Sequence, residues 1–482
     1  MSTRLRLLAE LEQILEKVRA RVTPTPSEKA KMERRAEEFR AKVEAELERM
    51  GLEAEVSLEG SVAKDTWLRG DVDIDLFMLV PPEVSRETLS TAYLEAAKRS
   101  LKGYRIVERF AEHPYVEAWI TRSLRVNVVP CYKVEPPNWR SATDRTPYHT
   151  RYVKARLGLE ARDEVRLLKR FMKGVGVYGS DIKVGGFSGY LAELLIIAYG
   201  GFLEVLRAAS TWKMGEIIDV EGFYEGRRGE AEKLFEGSCR TVIDPANRAR
   251  KEASSLRLET FSLFRAASKL FTSNPSLKFF YPPKPRPPPP ERLGKLLKSR
   301  GSDLVFLVFE GVRAVPDVLW GQLYKTERKL KRLLEGFDFK VLRSASWSDE
   351  EKVCVIVYEV EASRIPSVKR HTGPPISSPE EENFLAKHVK SRLTVSGPYI
   401  EENRWMVLLK RKQVDAKRLL EAELVRGREI GVASRLAEAL KRGGLKIYVG
   451  SEILKFYRRH QGFRTFLAGF LSGRPPWLRF PQ

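Results

Sequence analysis

An α/β head, a helical middle and a C-terminal α+β body make up the fold class that the sequence predicts. Three observations predict it. Residues 1–145 alternate short apolar runs of strand length with helical periodicities. From about Pro147 to Phe271 the pattern turns helical. Beyond a proline run at 281–290, strand and helix patterns alternate again.

Residues 1–20 read as a short amphipathic helix. Ser27 is placed to cap a second, long helix whose apolar positions Ala36, Phe39, Val43, Leu47 and Met50 share one face, and Gly51 stops it. A strand at Glu55–Glu59, a helix after Ser61, a strand at Asp73–Val80 and a helix near Arg86–Ser100 follow. Strands near Tyr104–Phe110, Val116–Thr121 and Leu124–Pro130 complete a head, 1–145, dominated by an antiparallel sheet. In the helical middle, 146–280, Val165, Leu168, Met172 and Val175 line one helix face. Tyr190–Tyr199 is so continuously apolar that it must be a buried helix. Seven prolines in 281–290 exclude helix and central strand and favour a stiff, extended spacer. The body, 291–482, reads as a strand (Asp303–Phe309), a long helix (Asp317–Glu335) and two strands (Lys340–Trp347, Glu351–Val360). A helix (Pro379–Val389) and two further strands (Val395–Ile400, Arg404–Lys410) come next. This βαββαβ-like order predicts a ferredoxin-like module.

Composition bounds the chemistry. The 482 residues hold 86 Lys and Arg against 64 Asp and Glu, a formal charge of +22 and a pI near 9.8, which fits a polyanionic partner, most simply nucleic acid. Cys131, Cys239 and Cys354 are far apart, with neither zinc spacing nor a disulfide framework, so a reducing cytoplasm is expected. No stretch approaches a membrane span and no apolar signal core opens the chain, so no membrane partner is expected. The last 42 residues carry nine Lys and Arg against one acid, with Phe456, Tyr457, Phe463 and Phe466 interleaved. Such a tail suits RNA phosphates and unstacked bases, with Arg458 and Arg459 as candidate contacts; equally, the aromatics are core and only the charges face RNA.

The most informative segment runs from Gly60-Ser61 to Asp73-Ile74-Asp75. Side chains two apart on a strand share a face, so Asp73 and Asp75 can share divalent cations. A Gly-Ser turn a dozen residues earlier can offer backbone N–H groups and a hydroxyl to a phosphate. Asp-x-Asp alone is common at solvated strand starts. With the turn, the strand and the basic chain beside it, the pair predicts metal-assisted chemistry on a nucleoside triphosphate.

These residues, with Val128-Val129-Pro130-Cys131-Tyr132, Ser141-Ala142-Thr143-Asp144-Arg145-Thr146-Pro147-Tyr148-His149 and Glu164–Lys169, resemble the archaeal, class I CCA-adding enzymes. These are tRNA nucleotidyltransferases of the polymerase-beta superfamily. Val177-Tyr178-Gly179, Gly186–Leu195, Gly397–Glu401 and Asn403-Arg404-Trp405 extend the resemblance over nearly the whole chain. It implies a palm-like nucleotidyltransferase head and addition of C, C and A to tRNA 3′ ends from CTP and ATP without a template. The tRNA acceptor end would be the partner, and a homodimer is compatible with this reading. Asp73 and Asp75 would hold Mg²⁺, Gly60 and Ser61 would contact the β- and γ-phosphates with Lys64 nearby, and His149, Lys169 and Tyr178 would meet triphosphate and sugar. Lys169 beside an apolar helix face and Tyr178 also fit ordinary snorkelling and packing.

Two departures stand out. The resemblance implies a third catalytic carboxylate on the strand before Pro130, and the residue there is Asn127. An amide oxygen can ligate Mg²⁺ but brings no charge and takes no proton, so transfer should suffer more than triphosphate binding. Around Arg250, the match to a base-reading arginine, Lys251 and Glu252 break the family pattern of Asp244–Ala253. An active enzyme with a degraded ligand, a paralogue acting as a tRNA or RNA 3′-end binder, and a deliberate inactivating change at Asn127 all fit this sequence.

Overall fold

The head is organised around a five-stranded sheet in the computed structural model, which describes residues 3–110, 112–236, 240–251, 256–426 and 431–479. Its strands are β1 (Glu55–Glu59), β2 (Val72–Val80), β3 (Arg105–Phe110), β4 (Pro114–Trp119) and β5 (Leu124–Tyr132), in the order β1-β2-β5-β4-β3. Only β2 and β5 run parallel; the other pairs are antiparallel. Alternation divides the two central strands. Ile74, Leu76, Met78, Val126 and Val128 pack with Ala36, Phe39, Val43 and Leu47 of the helix Pro26–Arg49. Asp73, Asp75 and Asn127 are left on the other face.

Thr25, not Ser27, caps that helix. Its hydroxyl accepts from Glu28 N–H at 3.2 Å, and the Glu28 carboxylate accepts from Thr25 N–H at 2.8 Å. Pro26 in the first turn and a glutamate three residues past Thr25 make the earlier position the better cap, and Ser27 falls inside the helix. The stretch expected as one helix over Arg86–Ser100 is broken by a π turn at Leu89–Tyr93.

The helices Thr146–Arg156, Leu159–Val175, Gly189–Tyr199, Phe202–Thr211 and Leu258–Ser273 follow the head in the same unit, Met1–Lys284, which the segment from Arg474 joins. Phe171 sits at the centre of their core, in ring contact with Phe202, Phe264, Phe271, Phe279 and Phe280. Between the helices lie three short strands absent from the expectation: β6 (Glu216–Ile218), β7 (Arg240–Asp244) and β8 (Asn247–Lys251). β8, Asn-Arg-Ala-Arg-Lys, has almost no apolar signal to read. No single helix among the described residues is long and apolar enough to cross a membrane.

The second unit, Pro285–Gly473, begins within the proline run. Its strands β9 (Asp303–Glu310), β10 (Val341–Ser348), β11 (Val353–Val360), β12 (Val368–Pro375), β13 (Thr394–Glu401), β14 (Arg404–Lys410) and β15 (Leu445–Val449) form two sheets. The larger has the order β10-β11-β9-β15, all antiparallel. β9 is buried on both faces. Val305, Leu307 and Phe309 meet the helices Pro316–Gly336, Ala416–Leu424 and Ser434–Lys441; Leu304, Phe306 and Val308 meet Pro290–Ser299 and the C-terminal helices Leu454–Arg459 and Gln461–Ser472. Phe456, Tyr457 and Phe463 are buried in this second core with Phe466 packed against it, so the tail aromatics are structural while Arg458 and Arg459 stay exposed.

The βαββαβ order is present, but its last helix and strand come later than expected. β15 closes the sheet, following the helices Ala416–Leu424 and Ser434–Lys441. The helix Glu381–Val389 with β13 and β14 instead belongs to a separate three-stranded sheet, β12-β14-β13. β12, Val-Lys-Arg-His-Thr-Gly-Pro-Pro, is polar and ends in two prolines, so the sequence gives little warning of a third strand there.

Candidate active site

The site is built where β1 ends. Gly60 follows β1 with φ +68°, and a Cβ at that position would lie 1.9 Å from Asp75 Oδ2. Only glycine allows the Gly60–Ala63 turn to lie this close to the β2 carboxylate. Parallel register then sets Arg125 beside Asp73 and Asn127 beside Asp75, and the antiparallel partner β4 sets Glu117 beside Asn127.

A cleft of about 520 Å³ is lined by Gly60, Ser61, Lys64, Asp73, Asp75, Asn127, His149, Lys169 and Tyr178, together with Tyr190 and Glu193. Nine residues singled out in sequence thus meet in one place. Arg250 does not line the cleft. It lies 3.5 Å from Asp244 Oδ2, while Asp244 Oδ1 is 3.2 Å from Nε2 of His149, which stacks on Tyr190 at 4.0 Å between ring centres. Arg458 and Arg459 are in the other unit, where Arg458 is 3.5 Å from Glu291. Cys239 and Glu252 lie outside the described residues; Cys131 and Cys354 are free and buried.

Burial, and secondarily the neighbouring Asp73 charge, pushes the Asp75 carboxyl up to about 7 against the Asn127 hydrogen bond. Burial also raises Asp73, although Arg125 pulls it back. Asn127 donates through Nδ2 to Asp75 Oδ1 at 2.8 Å, and its own Oδ1 is buried without a hydrogen-bond partner. Two carboxylates on one strand face and an orphaned amide oxygen beside them suit a hard cation that takes oxygen ligands. Among the described residues, no group of three or more His, Cys, Asp or Glu side chains is placed to hold a metal ion; the side chain beside the two aspartates is the amide of Asn127.

Within the cleft lining, Glu193 organises the lysines. Its carboxylate receives Lys64 Nζ at 2.5 Å, Lys169 Nζ at 2.9 Å and Thr66 Oγ1 at 2.6 Å; Lys169 also donates to Thr66 Oγ1 at 2.9 Å. Burial alone would raise Glu193, but Lys169 and Lys64 hold it down at about 2. Burial lowers Lys169, with Lys64 opposing the pull of Glu193. Two ammonium groups on one carboxylate leave a net positive charge on this wall of the cleft. Lys169 therefore points into the cleft and is no snorkelling surface lysine. Burial raises Tyr178 and lowers His149, keeping both neutral at pH 7. Asp144 explains the conspicuous Ser141–His149 motif: it accepts from the N–H groups of Tyr132, Arg140 and Ser141 at 2.9, 2.9 and 2.6 Å, tying the end of β5 to the helix that carries His149.

Sequence reasoning missed Glu193, Asp244, Arg125 and Asp65. Glu193 stands inside a quoted motif but amid apolar residues, and its two lysines come from distant segments. Asp65 receives Lys29 at 2.6 Å, Arg162 at 3.3 Å and the buried Arg166, tying the turn after Gly60 to the helix Leu159–Val175.

A glycine turn set against strand carboxylates in a mixed sheet defines a nucleotidyltransferase head, and residues 40–149 match the family model described as nucleotidyltransferase domain. Residues 163–281 match tRNA nucleotidyltransferase, second domain, and 300–450 match CCA-adding enzyme, C-terminal domain. The CCA-adding enzyme of Methanothermobacter thermautotrophicus is 42% identical over 361 residues, covering 73% of this chain and 77% of the relative. That of Archaeoglobus fulgidus is 39% identical over 405 residues (84% and 87%), and that of Haloarcula marismortui is 33% identical over 480 residues (97% and 99%). The chain belongs to the archaeal CCA-adding enzymes.

Proposed function

We propose that this protein adds CCA to tRNA 3′ ends from CTP and ATP by Mg²⁺-dependent phosphoryl transfer, at a rate limited by Asn127. The observation that carries this reading is the close approach of Gly60 to Asp75, which joins a glycine turn and a carboxylate pair in one cleft. Asp73, Asp75 and the Asn127 oxygen would hold the cation; when bound it supplies Lewis acidity to the primer hydroxyl and the leaving pyrophosphate. Lys64 and Lys169, in the lining of the same cleft, would neutralise the triphosphate. His149 and Tyr178, neutral and half-buried in the cleft lining, offer hydrogen bonds to phosphate and sugar. Arg250 shares Asp244 with His149 but stands outside the cleft lining, and its planar fork would have to reach the incoming base from there. As the primer hydroxyl loses its proton, Asn127 can accept none. The body, with its ferredoxin-like unit and exposed Arg458 and Arg459, grips the tRNA acceptor end through phosphates and shape. Residence in the cytoplasm belongs to the same proposal.

The deciding experiment is CMP and AMP incorporation into a tRNA lacking its 3′ end, with the parent beside Asn127→Asp. If neither variant extends the primer while both bind RNA and triphosphate, a 3′-end-binding protein replaces the enzyme. Asp75→Ala is expected to abolish Mg²⁺-dependent triphosphate binding in calorimetry; unchanged binding would remove the metal assignment. Affinity for tRNA is expected to fall steeply with salt, and neutralising Arg458 and Arg459 together to reduce the log–log slope by about 2 if each meets a phosphate. A slope that does not respond to this double change would place the phosphate contacts elsewhere.

A further inference from the structure

Asp73, one of the two carboxylates of the cleft, already has a cation. Register sets Arg125 between Asp73 on β2 and Trp119 on β4. Its Nε donates to Asp73 Oδ1 at 2.7 Å and its Nη2 to Oδ2 at 3.0 Å, a two-pronged contact that engages both oxygens. The guanidinium carbon lies 5.7 Å from the Trp119 ring centre, and Nη1 lies 3.9 Å from Glu117 Oε2. Glu117 is itself buried and paired with Arg109 at 2.9 Å. Two arginines therefore face Asp73 and Glu117. Asp75 makes no ion pair within 4 Å among the described residues, and Asn127 beside it adds no charge.

We propose that Arg125 is the resident counter-ion of Asp73, a positioning residue that orients this carboxylate and sets how tightly the cleft holds a divalent cation. The inference rests on Asp73 and Asp75 being the metal ligands. Each Asp73 oxygen keeps a second lone pair, so the fork leaves room for ligation. What it changes is the field: a fixed positive charge a few ångströms away opposes a dication in a part-buried site. With Asp73 and Glu117 offset by Arg125 and Arg109, the cation meets little more than the charge of Asp75. Weak metal binding in this cleft then has two sources, the missing charge at Asn127 and the added charge at Arg125.

The test is Mn²⁺ binding to the full chain without nucleotide, read by electron paramagnetic resonance for the parent, Arg125→Ala, Arg125→Gln, Arg125→Lys and Asp75→Ala. Arg125→Ala is expected to tighten Mn²⁺ on the order of tenfold, because a nearby like charge is removed. Arg125→Gln, which keeps hydrogen-bond donors without charge, should move the same way, whereas Arg125→Lys should stay near the parent. A residue that only held the strand in shape would weaken binding in all three. If Asp75→Ala weakens Mn²⁺ but Arg125→Ala and Arg125→Gln do not tighten it, the counter-ion role is overturned and the metal assignment stands. If Asp75→Ala has no effect, the metal assignment fails and takes the counter-ion role with it.

Discussion

Asn127→Asp is expected to speed nucleotide transfer to a tRNA primer on the order of 10²–10⁴-fold, while the dissociation constants for CTP and ATP change little. The side chain is already placed: strand register holds it against Asp75, and its Oδ1 is buried without a partner. Substitution by aspartate changes charge and proton affinity without requiring a new position. The lysines and the glycine turn proposed to meet the triphosphate lie outside β5 and are untouched. The gain should therefore appear in kcat, when the primer hydroxyl loses its proton. Without a cation, three carboxylates would crowd one face of the sheet, where Asp75 already titrates at about 7, so the variant should depend more steeply on Mg²⁺. Single-turnover rates beside calorimetric dissociation constants measure both quantities. A parent that already turns over as fast as the variant would show that the third carboxylate is dispensable here.

The second large effect is on the fold. Glu193→Ala leaves Lys64 and Lys169 buried together with no carboxylate between them, and removing one partner of a buried ion pair costs about 3–5 kcal/mol. For a unit of this size the midpoint of thermal unfolding should fall on the order of 10 °C. The same carboxylate governs acid stability. It ionises at about 2 in the folded protein against an ordinary 4.5, so its contribution is complete above about pH 4.5 and is lost as pH falls through about 2. A Glu193→Ala melting curve superimposable on the parent's, at neutral pH and at pH 3, would refute the hub role.

What could be read from the sequence follows the range of the interactions. β1 and β2 are visible because apolar alternation is local, and Asp73 and Asp75 because one strand carries both. The Gly60 turn is visible by its residue types, although the reason for glycine, the contact with Asp75, exists only once two strands pair. Partners far apart in the chain left no local trace: Glu193 reaches Lys64 across 129 residues and Arg125 reaches Asp73 across 52. The βαββαβ pattern was legible in kind but assigned to the wrong late elements, since β12 reads as a loop and the sheet waits for β15. Ser27 lost the capping position to Thr25 through a single proline and a single glutamate.

The three-stranded sheet β12-β14-β13 enters and leaves the larger sheet's unit side by side. Ile365 N–H donates to Val414 O at 3.0 Å, and Ala416 N–H to Ser363 O at 2.9 Å. To the host sheet, everything between Ile365 and Val414 is therefore a long hairpin loop closed at its base. The entropy of closing a loop grows only with the logarithm of its length, so each doubling costs about 0.6 kcal/mol. The host loses almost nothing by carrying this passenger, and β15 can find β9 whether the excursion is long or short. That segment is free to vary in size and surface over evolutionary time without renegotiating the core beneath it.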